Sequence, residues 1–130
     1  MKFVTGTTAL FLLATAVPAS AQHADVKSDG IRLDAAVAAG HAKVLAINGV
    51  WTPAKTTTSG CTTHVIWGKG DLPIDWKNAT LSDDGTPSML MVSMGPTQDF
   101  ALKFGSAAAL RTAQSVAAHL ITACPQYQGR

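Results

Sequence analysis

The chain of 130 residues contains no glutamate, only two cysteines, and just 14% charged and 6% aromatic residues. Each scarcity removes a class of answer. With all eight acids aspartate, the short carboxylates favour caps and turns over helix-surface ion pairs. Charged residues fall well below the roughly 25% of an average domain, while 47% of the chain is apolar, which excludes a disordered tail and a polyelectrolyte binder. Lys27, Lys43, Lys55, Lys69, Lys77 and Lys103 are scattered and interleaved with aspartates, so no basic face for nucleic acid is expected. The chain has no C-x-x-C pair, no G-x-S-x-G elbow and no G-x-x-x-x-G-K-[ST] loop, which leaves redox or metal cysteines, an α/β-hydrolase nucleophile and a phosphate loop without support.

The first residues carry the most specific pattern. Lys2 supplies a positive start, residues 9–17 (ALFLLATAV) form an apolar run, and Ala19-Ser20-Ala21 is an A-x-A site, so residues 1–21 read as a cleaved export signal. The run is too short to span a membrane, which needs about 20 apolar residues. No later stretch reaches that length without a charge, Gly or Pro. The expected product starts at Gln22 and is periplasmic or secreted. In such a compartment thiols oxidise, and Cys61 and Cys124 are expected to form one disulfide closing a long loop, worth about 4 kcal/mol in the chain-entropy picture.

Residues 22–30 are polar and aperiodic and read as a flexible lead-in to a single domain over 31–130. Ile31, Ala35, Ala38, Ala42 and Leu45 recur at helical spacing, with Asn48-Gly49 as a stop. The rival reading makes residues 43–47 and 50–52 a hairpin around Asn48-Gly49; the helix is preferred. Residues 52–60 (TPAKTTTSG) read as a loop. Beyond them the period becomes two: Cys61, Thr63, Val65 and Trp67 share one face, and Thr62, His64 and Ile66 the other. Ile74 with Trp76, the run 89–94, and Phe100, Leu102 and Phe104 supply three more strands. The fold class is therefore α+β, a four-stranded antiparallel meander packed by a C-terminal helix. That helix runs from an N-cap at Ser106 to Pro125, with Leu110, Ala113, Val116, Ala117, Leu120, Ile121 and Cys124 on one stripe.

The candidate site residues are few. Trp51 is the tryptophan expected to be exposed, and with His64 on the outward sheet face it is the candidate for ligand binding; Trp67 and Trp76 fall on the core face. Met89 and Met91 share a strand face and are the candidate soft-metal ligands, since thioethers bind Cu(I). A hydrolase is less favoured: Ser93, His64 and Asp99 form a triad only on paper, Asp71 and Asp75 are explained as turn and surface acids, and His119 reads as solvated. The expectation is a small exported, non-catalytic binding or interaction protein without a cofactor. Its partner would be a protein, a small molecule or a second copy on the open sheet face, and a periplasmic copper-binding protein is the alternative.

Overall fold

The computed structural model describes residues 19–46, 48–82, 88–95 and 98–127, the first six of these by backbone alone. Two helices, α1 (Ala19–Ala39) and α2 (Ala107–Ala123), accompany eight strands: β1 (Lys43–Leu45), β2 (Trp51–Pro53), β3 (Lys55–Ser59), β4 (Thr62–Trp67), β5 (Gly70–Asp75), β6 (Ala79–Ser82), β7 (Met89–Met94) and β8 (Asp99–Lys103). One sheet has the order β2-β1-β8-β7-β6 and the other β3-β4-β5, with every pairing antiparallel. The fold is α+β, as the sequence implies, with a helix near each end of the described chain and one disulfide.

Helix α2 follows its sequence pattern closely. Ser106, extended at φ −131°, accepts a hydrogen bond from Ala109 N–H at 3.2 Å through its Oγ, as an N-cap does. Leu110, Ala113, Val116, Ala117 and Leu120 are buried, and Pro125 ends the helix in a short 3-10 turn (Cys124–Gln126). Cys124, fully buried, is bonded to Cys61 across a sequence separation of 63 residues, with Cα atoms 5.8 Å apart. The bridge pins the tail of α2 to the turn that leads into β4.

The expected single meander is instead divided between the two sheets. Strand β5 pairs with β4, and the chain then turns at Asp75, whose Oδ1 accepts from Lys77 N–H and whose Oδ2 accepts from the Asn78 amide. This corner delivers β6 to β7 rather than to β5. The other corner is at Ala54, whose N–H donates to the Ala42 carbonyl between β2, which pairs with β1, and β3, which pairs with β4.

Four local expectations are also corrected. Residues 22–30 are helical, not a loose lead-in: Val26, Asp29 and Gly30 are buried and continue the stripe through Leu33, Ala36 and Val37. The helix stops at Ala39 rather than near Leu45. Ala42 N–H donates to Val37 O and His41 N–H to Ala38 O, a Schellman ending in which His41 takes φ +48°. Strands β1 and β2 pair antiparallel, as in the rival hairpin reading. Most of 52–60 is strand rather than loop, the end of β2 and all of β3, because α1 lies along β3 and gives its backbone and threonines a partner: Asp34 accepts from Thr56 Oγ1 (2.7 Å), Thr58 Oγ1 (2.7 Å) and Thr58 N–H (2.9 Å).

Candidate functional site: the outward face of the five-stranded sheet

Alternation along β1, β7 and β8 sends Val44, Leu90, Val92 and Leu102 into the core and leaves the intervening side chains on the opposite face. Cross-strand register arranges those side chains in rows. One row runs Pro53, Lys43, Lys103, Met89. The next holds Trp51 opposite Leu45 at one side and Ala101, Met91 and Ser82 at the other. Beyond it lie Asp99, Ser93 and Thr80. On this face Leu45 is 50% exposed, with Val50 beside it at 55%, while Trp51, Met89, Met91 and Ala101 are half-buried.

The chemistry of the face is apolar and cationic. Lys103 Nζ lies 5.4 Å from the centroid of the Trp51 ring, within cation–π range. Lys43 and Lys103 are directly opposed across β1 and β8, and like charges in that position destabilise a sheet by several tenths of a kcal/mol. Asp99, the acid on these strands, is paired with Ser93 at the far end of the face. Among the described residues, the lysine pair therefore has no carboxylate in register beside it.

Three of the four candidate site residues come together here: Trp51, Met89 and Met91. Trp51 is half-buried rather than free, its ring covered on one side by Lys103. Met89 and Met91 do share a face, but their register neighbours are Lys103, Ala101 and Ser82, which provide no third soft donor. Among the described residues no group of three His, Cys, Asp or Glu side chains is placed to hold a metal ion. His64 is on the other sheet, on its outward face, with Nδ1 3.0 Å from Asp71 Oδ1. The paper triad is thus divided, with Ser93 opposite Asp99 on one sheet and His64 on the other. Asp71 engages His64 and Asp75 shapes its turn, so each carboxylate has a local partner.

His119 is half-exposed, in keeping with its place on the polar side of α2, but it also has a partner on α1. Its Nδ1 meets the Oδ2 of Asp29, and Arg32 Nη1 reaches the other carboxylate oxygen at 3.5 Å. The Asp29 side chain is only 5% exposed, so α1 and α2 are joined by a buried carboxylate facing a half-exposed imidazole. A cleft between the helices, lined by Ser28, Arg32, Ser115 and His119, opens beside it. Sequence periodicity carried no signal for this pair, because Asp29 occupies a stripe position where an apolar residue is expected.

The two antiparallel sheets bent around one core and backed by the C-terminal helix place the chain among PH-like folds. The PH domain from PfAPH superposes with a TM-score of 0.60 at 11% identity, covering 81% of this chain and 95% of that one. The PH domain from TgAPH gives 0.55 at 13% identity over 78% and 96%. Inner Membrane Complex Sub-compartment Protein 3 of Toxoplasma gondii gives 0.53 at 10% identity over 71% and 84%. No family model and no curated protein matches the sequence. At these identities the likeness establishes the fold.

Proposed function

We propose that the protein is a small exported, non-catalytic binding module that uses the outward face of the five-stranded sheet to hold a partner carrying both apolar and anionic groups. The observation that carries this reading is the directly opposed Lys43 and Lys103 beside Trp51, Leu45 and Val50, with no acid in register with either lysine among the described residues. An anionic partner relieves the lysine repulsion and removes exposed apolar area from water, at roughly 25 cal/mol per Å². The PH-like neighbours fit an interaction domain rather than an enzyme. Export rests on Lys2, the apolar run 9–17 and Ala19-Ser20-Ala21; residues 1–18 lie outside the described part, and no described helix is long and apolar enough to cross a membrane.

The chemistry can be tested with anilinonaphthalene sulfonate, an apolar anion, titrated against the native protein. Saturable binding is expected, weakened about tenfold or more, that is by at least 1.4 kcal/mol, in the Lys43→Glu/Lys103→Glu double variant. That variant keeps two like charges opposed but loses the Lys103–Trp51 contact, so its stability is expected to fall by no more than about 1 kcal/mol. A Lys69→Glu/Lys77→Glu control, altered away from this face, should bind normally. Equal affinities in all three proteins would remove the support for this face.

A further inference from the structure

An exposed sheet edge is a row of unused backbone donors and acceptors, and proteins close such edges with proline, charge or a covering element. Four strands end the two sheets here, and three are closed. Strand β2 is three residues long and ends in Pro53. Strand β3 is covered by α1, with its Thr58 N–H donated to Asp34 Oδ2. Strand β5 holds Pro73 in its middle, flanked by exposed Asp71 and Asp75. Strand β6, which α2 contacts, carries neither proline nor charge: it reads Ala-Thr-Leu-Ser, and among the described residues its backbone pairs with β7 alone. Every second residue of an antiparallel strand turns its N–H and C=O away from the partner.

We infer that β6 is the edge through which a second copy of this chain pairs, antiparallel, about a twofold axis normal to the sheet. An isologous contact brings each residue against its own kind or a near neighbour, so a strand free of charge meets itself without repulsion. The outward sheet face is the poorer self-contact, because it brings Lys43 and Lys103 against the same pair. A twofold normal to the sheet keeps outward residues outward. The exposed Thr80 and Ser82 then lie beside Thr80 and Ser82 of the partner, while Ala79 and Leu81 stay on the core side. The five-stranded sheets of the two copies become one continuous sheet. The lysine-rich faces lie on the same side of it, doubling the surface offered to a single extended partner.

Sedimentation velocity over a concentration series, on the unreduced protein, reads this directly. Mass is expected to double as concentration rises. The Thr80→Lys variant, which places two ammonium groups near the axis, should weaken self-association at least about tenfold, or 1.4 kcal/mol, with an unchanged circular dichroism spectrum and melting temperature. Because Cys61 and Cys124 are consumed by the disulfide, Thr80→Cys introduces a lone thiol. A short bis-maleimide should join two such chains much faster than two Thr57→Cys chains, in which the thiol stands on the outward face of β3. A protein that stays monomeric at all concentrations, with Thr80→Cys and Thr57→Cys cross-linking equally slowly, overturns the proposal. So does a dimer that Thr80→Lys leaves intact.

Discussion

Replacing Thr63 by valine tests the polar chain that holds α1 to the three-stranded sheet. Trp76 Nε1–H donates to Thr63 Oγ1 at 2.7 Å, and Thr63 Oγ1 lies 2.8 Å from Thr58 Oγ1. The Thr58 hydroxyl proton is already given to Asp34 Oδ1, so at the threonine contact Thr63 must be the donor. The chain therefore runs in one direction, from a buried indole through two hydroxyls to a carboxylate. Thr63 is 0% exposed and Trp76 1%, so no water can replace a lost partner. Valine keeps the shape but strands the indole N–H, at about 1–3 kcal/mol, and removes the bond to Thr58, at about 1 kcal/mol. A loss of about 2–4 kcal/mol is expected, a large part of the 5–15 kcal/mol typical of a domain. Urea unfolding followed by tryptophan fluorescence should show the midpoint falling by about 1–2 M for a slope near 2 kcal/mol per M. In a Trp76→Phe background, where no N–H is left to satisfy, the same substitution should be markedly milder. A midpoint moved by less than about 0.3 M, or an equal loss in both backgrounds, refutes the directed chain.

Two backbone positions give predictions with opposite signs. Gly30→Ala, which in an ordinary helix interior gains about 0.5–1 kcal/mol, should instead destabilise by about 1–2 kcal/mol, because the new Cβ would stand 2.8 Å from Thr58 Cγ2 and Asp34 holds that threonine in place; thermal melts give the sign. His41→Gly should stabilise by about 1 kcal/mol, since His41 sits at φ +48°, where only glycine escapes the Cβ penalty; an unchanged or lower melting temperature would contradict it.

What could be read from residues alone was whatever had an apolar signature. Helix α2, its cap at Ser106 and the inward face of β4 through Thr63 and Val65 follow from period and burial, and the disulfide follows from two cysteines on facing stripes. What escaped was everything buried by polar chemistry or close approach. Strand β3 looked like a loop because its inward residues, Thr56 and Thr58, are satisfied by a carboxylate rather than by apolar contact. The first turns of α1 looked unstructured because Asp29 is matched by His119 and Gly30 by the nearness of β3, two partners far away in sequence. The division of the meander turned on the Asp75 corner, where a side chain captures Lys77 and Asn78 and redirects the chain. Of the binding face, Trp51, Met89 and Met91 were legible as unusual residues. The opposed lysines were not, since their meeting depends on β1 pairing with β8, strands far apart in sequence.

The course of α1 also decides how far the chain can be trimmed. Composition puts the start of ordered structure at Ile31, yet a version beginning there would discard Val26, 1% exposed, together with the carboxylate that receives His119. The opening turns of this helix are a wall of the molecule, and any shortened form meant to keep its shape has to begin upstream of Asp25.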